Sequence, residues 1–251
     1  MIPTDHGYEA KFDFPDWQGP PTIPYLLATV PRSGSTYLSH LLWQTGCLGA
    51  PLEYLNFDPT GPYGHASEAP VEQTKLWRAA LRGRTAPNGV FGLKAFPAQL
   101  AALHGSNPSL LGEVMRGIFQ SRQTSRVVWL HRRDSTAHAI SYARAILSGV
   151  WRKEQEALGR DEPEYSAIAI ERATRLIGDA EASWSAMLAD LGITPLELWY
   201  EDMVEDPISA VQAVAAHLGV TLDPKAVIEV PEITQQSQEG AKTWADRHSA
   251  S

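Results

Sequence analysis

The sequence predicts an α/β fold in which a parallel sheet is flanked by helices. Short apolar runs typical of buried strands recur along the chain, near residues 25–30, 90–96, 126–131 and 196–200. Segments with helical spacing separate them, and strands that alternate with helices favour a parallel sheet. The 251 residues suffice for one such domain. We expect residues 1–24 to form an N-terminal extension and linker, and residues 25–251 to form the domain.

The first predicted strand leads into a loop rich in Gly, Ser and Thr. The apolar run Tyr25–Val30 is followed by Pro31-Arg-Ser-Gly-Ser-Thr36 and then by a helical pattern. Backbone N–H groups of such a loop and of the first helical turn point at one spot, where the helix dipole adds partial positive charge. Arg32, Ser35 and Thr36 add side-chain donors. The segment therefore predicts a cradle for a phosphate or sulfate group, although an ordinary strand–turn–helix joint has the same local pattern.

Three other functions compete for this loop. A small-molecule kinase would need the P-loop G-x-x-x-x-G-K-[ST], whose spacing and Lys are absent here. A serine hydrolase is disfavoured because Ser33 and Ser35 do not stand in G-x-S-x-G. A non-catalytic nucleotide-binding module would keep the same loop. In each nucleotide-binding interpretation Arg32 supplies the fixed charge.

Two further segments place polar residues after predicted strands. Arg133 follows the strand 126–131, and Ser141 lies eight residues later, about two turns into a helical pattern. Ligands of open α/β sheets bind outside the carboxyl ends of the strands, so both side chains could reach one phosphate along the inner face of that helix. The strand 196–200 runs into an acidic turn, and Pro207 opens the next helix.

These segments together resemble the sulfotransferases that use 3′-phosphoadenosine 5′-phosphosulfate, and in particular the bacterial trehalose 2-sulfotransferase family. The resemblance extends from about Pro24 to about His248. In this superfamily a P-[RK]-S-G-[ST]-T loop binds the 5′-phosphosulfate, and an Arg with a Ser eight residues later binds the 3′-phosphate. The resemblance implies a P-loop-type fold. The donor-binding residues that it implies are Pro31, Arg32, Ser33, Gly34, Ser35, Thr36, Arg133 and Ser141.

The resemblance also implies catalytic roles for Glu53 and Arg32. The trehalose-type enzymes use a Glu shortly after the first helix as general base, and Glu53 fills that position. Such a carboxylate accepts the proton of an acceptor hydroxyl as the oxygen attacks sulfur. We expect the loop after Gly46 to bring Glu53 back toward the cradle. Pro31 stands where Gln is usual in the family. The resemblance therefore does not establish trehalose as the acceptor.

The implied activity is sulfuryl transfer from 3′-phosphoadenosine 5′-phosphosulfate to a hydroxyl of a small-molecule acceptor, with carbohydrates or glycolipids as the leading class. No metal is required, because such transfer depends on positioning and charge. The identity of the acceptor and the formation of a homodimer stay open. Further candidates for the acceptor side are Lys94, Trp151 and the loop 58–70, with His65 as an alternative base.

Composition argues against several other classes. The net charge of −8 and the lack of a basic stripe, apart from short clusters such as 78–84, disfavour a nucleic-acid-binding protein. The single cysteine, Cys47, excludes a disulfide within the chain and suits a reducing cytoplasm. Residues 1–17 lack the apolar stretch of a signal peptide, and no apolar run reaches transmembrane length. We therefore expect a cytoplasmic protein without a transmembrane segment.

Overall fold

A four-stranded parallel sheet forms the centre of the protein. In the computed structural model its strands are β1 (Ile23–Ala28), β2 (Val90–Ala95), β3 (Arg126–His131) and β4 (Leu196–Trp199). They are arranged in the order β2-β1-β3-β4, and every neighbouring pair is parallel. The predicted α/β fold with a parallel sheet is confirmed, because each predicted strand is present. The structure describes residues 7–119, 125–151, 162–223, 228, 230–231 and 239–249.

Helices cover both faces of this sheet. Within the described ranges they are α1 (Ser35–Gln44), α2 (Pro70–Arg84), α3 (Pro97–Ser106), α4 (Pro108–Ile118), α5 (Ser135–Ser148), α6 (Ala167–Leu191), α7 (Tyr200–Glu205), α8 (Pro207–Leu218) and α9 (Glu239–Ser249). In the parts of the chain that the structure describes, no helix is both long and apolar enough to cross a bilayer.

The central strand β1 is buried because layers of helices cover it on both sides. Its residues from Pro24 onward are buried, and both neighbouring strands pair with it. A parallel strand covered on both faces is expected to be a continuous apolar run rather than an alternating one. The run that begins at Tyr25 fits this expectation. Its burial fixes the position of the loop that leaves the carboxyl end of the strand.

The buried apolar residues of helix α6 recur at helical spacing along one stripe, which packs against the rest of the protein. Ile170, Ala173, Trp184 and Leu188 are at most 3% exposed. The N-terminal half of this stripe forms a second hydrophobic cluster with α5 and with Trp244 of α9. Trp184, in the other half, reaches the main core and the loop after β1. The stripe is therefore a packing face, and it anchors the helices that surround the candidate site.

Candidate active site

The loop between β1 and α1 has two residues in the left-handed region. Arg32 has φ 68°, the only positive φ of a non-glycine residue in the described ranges, and Gly34 has φ 87°. A Cβ atom at Gly34 would lie 2.2 Å from Cδ2 of Tyr200, so only glycine fits there. Left-handed backbone costs an arginine about 1–2 kcal/mol. The fold must therefore hold Arg32 in place, and such strain is frequent at functional sites.

Three carbonyl groups of this loop are held by side chains from the surrounding elements. The pairs are Trp184 Nε1 to the Thr29 carbonyl at 2.9 Å, His138 Nε2 to Pro31 at 2.8 Å and Arg132 Nη1 to Arg32 at 3.1 Å. These carbonyls are thereby turned toward the protein. The first N–H groups of α1 have no acceptor within the helix, because no helical carbonyl precedes them by one turn. The arrangement has the directionality of an anion cradle.

His138 gives the loop a pH-dependent support. Burial lowers the pKa of His138 below its usual 6.5, although the hydrogen bond to the Pro31 carbonyl acts in the opposite direction. As the pH falls, the unfolded chain therefore binds the proton first. The stability contributed by neutral His138 is fully present when the pH is above the pKa that this histidine has in the unfolded chain. It is lost as the pH falls through the pKa of His138 in the folded protein.

We expect the free energy of unfolding in urea to be smaller at about pH 5.5 than at about pH 7.5 for this reason. His138→Gln keeps a donor for the Pro31 carbonyl but cannot become charged, so the difference between the two pH values should shrink in that variant. Equal differences in the native protein and in the variant would show that other groups cause the effect.

The side chain of Arg32 connects the loop to α5. Its Nε donates to Oγ of Ser141 at 3.0 Å, and its Nη1 donates to the backbone carbonyl of Trp151 at 2.7 Å. Arg32 of the predicted 5′-phosphosulfate loop and Ser141 of the predicted 3′-phosphate site are thus in direct contact. Trp151 is 39% exposed, and its ring lies edge-on to Tyr142, with ring centroids 6.1 Å apart.

Arg133 is oriented toward a different neighbour. Its guanidinium forms a bidentate ion pair with Asp202 of α7 and lies over the Trp199 ring, 4.9 Å from the centroid. Hydrogen bonding from Arg133 holds the pKa of Asp202 below its usual value. The Arg133 side chain is 49% exposed. A phosphate shared by Arg133 and Ser141 would therefore have to compete with the Asp202 carboxylate.

A buried lysine connects the loop with the predicted general base. The Lys94 ammonium, at the end of β2, lies 3.0 Å from Oε1 of Glu53 and donates to Oγ1 of Thr36 at 3.1 Å. The Lys94 side chain is 1% exposed and that of Glu53 is 14% exposed. The Lys94 ammonium therefore contacts both the loop, through Thr36, and the Glu53 carboxylate. Lys94 is therefore buried between the loop and Glu53 and is not a surface lysine.

The chain returns to the cradle after α1 by running along β2. Gly49 has φ 72°, and a Cβ atom there would lie 3.0 Å from both the Gly92 nitrogen and the Val90 oxygen. Leu52 then pairs in parallel with Leu93 in an isolated bridge. This tight path places Glu53 beside the end of β2, in agreement with the expected return of the loop after Gly46.

Two amide side chains that sequence reasoning missed complete the surroundings of the carboxylate. Gln99 Nε2 donates to Oε2 of Glu53 at 3.0 Å, and Asn56 Nδ2 donates to the same oxygen at 2.8 Å. Oε1 of Gln99 also accepts from the backbone N–H of Phe96, which caps α3. A Gln two residues after Pro97, at the capping-box position, was the available signal. An ionised carboxylate accepts from all of these donors at once.

The remaining candidates are His65 and the loop 58–70. His65 is exposed and lies edge-on to the Tyr63 ring, within a loop that contains a short 3₁₀ helix, Gly64–Ala66. Among the residues that the structure describes, no group of three His, Cys, Asp or Glu side chains is placed to hold a metal ion.

One family model and two curated proteins are similar to this chain over most of its length. The family model of the Stf0 sulphotransferases matches residues 24–251. The trehalose 2-sulfotransferase of Mycobacterium tuberculosis (strain Erdman) is 29% identical, and the alignment covers 90% of this chain and 94% of that protein. The enzyme of the same name from Mycolicibacterium smegmatis is 27% identical, with 89% and 93% covered. A solved sulfotransferase from Alicyclobacillus acidocaldarius aligns with a TM-score of 0.48 and 15% identity, over 93% of this chain and 92% of that one.

Proposed function

The chain belongs to the Stf0 sulphotransferase family, and we propose that it transfers a sulfuryl group from 3′-phosphoadenosine 5′-phosphosulfate to a hydroxyl group of a carbohydrate. The donor binds the loop Pro31–Thr36, and Glu53 is the general base. Carbohydrate is the proposed acceptor class because both curated relatives are named for transfer to trehalose. The observation that carries the proposal is the position of Lys94, which contacts both the loop and Glu53.

The proposed reaction takes place between these two groups. The acceptor oxygen attacks sulfur while its proton passes to Glu53. The bond between sulfur and the bridging oxygen breaks, and adenosine 3′,5′-bisphosphate leaves. Arg32 and the N–H groups at the start of α1 stabilise the negative charge that develops on the departing phosphate. Lys94 lies where it can also contact the transferred group, because it contacts Thr36 on one side and Glu53 on the other.

The 3′-phosphate is proposed to bind at α5. Ser141 lies beside Arg32, and Arg133 lies at the carboxyl end of β3. Binding there requires Arg133 to exchange part of its contact with Asp202 for the phosphate. Both side chains of that ion pair are about half exposed, so the exchange costs little.

Adenosine 3′,5′-bisphosphate should therefore bind much more tightly than adenosine 5′-phosphate. The loss of one charge-assisted set of contacts is worth roughly 1.5–3 kcal/mol, or about one to two decades in Kd. Isothermal titration calorimetry with both nucleotides measures the difference. Equal affinities would remove Arg133 and Ser141 from the donor site.

Transfer from a donor labelled in the sulfuryl group tests the proposed function itself. Trehalose is the first acceptor to assay, followed by other disaccharides, monosaccharides and glycolipids, in each case without added metal. The proposal expects a labelled carbohydrate product. Tight nucleotide binding without transfer to any acceptor would favour a binding module, and phosphoryl transfer from ATP with Mg²⁺ would favour a kinase.

A further inference from the structure

The N-terminal segment 7–17 is fastened to the end of α2. Arg84 donates from Nη1 to the Gly7 carbonyl at 2.8 Å and from Nη2 to the Glu9 carbonyl at 3.0 Å, and its Nε lies 2.7 Å from Oδ1 of Asp13. The Arg84 side chain is only 4% exposed. One buried guanidinium therefore holds three points of the segment.

Aromatic packing holds the same segment against the core. Phe12 and Phe14 are each 8% exposed. The Phe12 ring lies edge-on to Trp43 of α1, with centroids 5.9 Å apart, and the backbone N–H of Phe14 donates to the Gly83 carbonyl at 2.8 Å. Burial of two aromatic side chains keeps the segment in a fixed position.

This fixed position brings Tyr8 to Glu53. The backbone N–H of Glu53 donates to the Tyr8 hydroxyl at 3.1 Å. The Tyr8 ring lies edge-on to Tyr54, with centroids 6.3 Å apart, and edge-on to Tyr63 at 5.4 Å. Tyr54 is fully buried, and burial raises the pKa of Tyr63 to about 12. Tyr8 thus contacts the backbone of the proposed base from within an aromatic cluster.

Tyr8 lies outside the part of the chain that the family model covers, because that model begins at residue 24. The carboxylate oxygens of Glu53 are held by Lys94, Gln99 and Asn56, all of which lie within that part. The Tyr8 hydroxyl binds the backbone N–H of Glu53. The N-terminal segment of this chain therefore reaches the site from outside the matched region.

We propose that Tyr8 is a positioning residue for Glu53 and that the segment 7–17 is a functional part of the site. The proposal rests on the proposed role of Glu53 as general base. A base acts only within hydrogen-bond reach of the proton that it takes, and a misplacement of about 1 Å can cost about 10²-fold in rate. Tyr8 should consequently affect the chemical step and leave donor binding alone.

Tyr8→Phe keeps the ring and its packing but removes the acceptor of the Glu53 N–H. We expect kcat to fall about three- to tenfold, the usual worth of one hydrogen bond. The acceptor KM and the Kd of adenosine 3′,5′-bisphosphate should stay unchanged. Hydrogen exchange of the backbone around residues 50–56 should become faster, and this readout does not depend on turnover. The matched control is Tyr165→Phe, which removes a hydroxyl 3.3 Å from Nδ1 of His248 in the second hydrophobic cluster.

Combining Tyr8→Phe with Glu53→Gln distinguishes positioning from a general structural effect. If Tyr8 acts through Glu53, it should cost no further rate once the base is gone. An equal loss in both backgrounds, or native turnover and native exchange in Tyr8→Phe, would overturn the proposal while leaving the proposed function intact. Absence of sulfuryl transfer by the native chain would overturn the proposed function, and this proposal with it.

Discussion

Glu53→Gln is expected to lower the rate of sulfuryl transfer by about 10²–10⁴, the usual worth of a positioned general base. Glutamine keeps the shape of the side chain and one accepting oxygen, but it takes no proton at neutral pH. Donor affinity should be nearly unchanged, because the proposed donor ligands are the loop after β1, Arg133 and Ser141. Initial rates at saturating donor and calorimetry with adenosine 3′,5′-bisphosphate separate the two effects.

The control for this substitution is Glu113→Gln, which makes the same chemical change in an ion pair with Arg78, 2.9 Å long, between α2 and α4. It should turn over like the native protein. Glu53→Gln also leaves the buried Lys94 ammonium without its carboxylate, so thermal unfolding must be followed to show that the variant is folded. Near-native turnover of a folded Glu53→Gln protein would remove Glu53 from the mechanism and make His65 the next residue to test.

Arg32→Ala should weaken donor binding and lower the rate together. The same guanidinium is proposed to hold the phosphosulfate before reaction and the phosphate after the bond to sulfur breaks. Loss of its charged contacts is worth roughly one to two decades in donor Kd. Arg32→Lys should recover part of both quantities, because it keeps the charge and loses only the planar fork of donors.

The left-handed backbone of Arg32 requires a second variant. Alanine is strained at φ 68°, whereas glycine adopts this conformation freely. Arg32→Gly therefore removes the side chain without that strain. Matching losses in the Ala and Gly variants would assign the effect to the guanidinium, and a folded Gly variant with native donor affinity would show that the loop is not the donor site.

The parts of the structure that the sequence predicts are those that depend on local pattern. A strand buried on both faces gives a continuous apolar run, so the four strands and the loop after β1 were recognisable. The stripe of α6 was recognisable from its helical period. Helices were expected between the strands, but α2, α3 and α4 were not located individually, because α2 is largely polar and the other two are short and separated only by Asn107.

The contacts that make up the site depend on packing between distant segments. Lys94 was a candidate only because it ends a strand, and its simultaneous contact with Thr36 and Glu53 requires both the β1–β2 register and the tight path past Gly49. The ion pair of Arg133 with Asp202 arises because β3 and β4 are neighbours. Tyr8 gives no signal in the sequence, since its contact with Glu53 spans 45 residues.

The central claim is that the loop after β1, Arg133 and Ser141 form one donor site next to Glu53. The most direct measurement is a crystal structure with adenosine 3′,5′-bisphosphate bound. The account predicts that the 5′-phosphate lies at the start of α1 within hydrogen-bond distance of Ser35 and Thr36. It also predicts that the 3′-phosphate contacts Ser141 and Arg133, with Arg133 turned away from Asp202. A nucleotide bound elsewhere, or a 3′-phosphate that contacts neither residue, would contradict it.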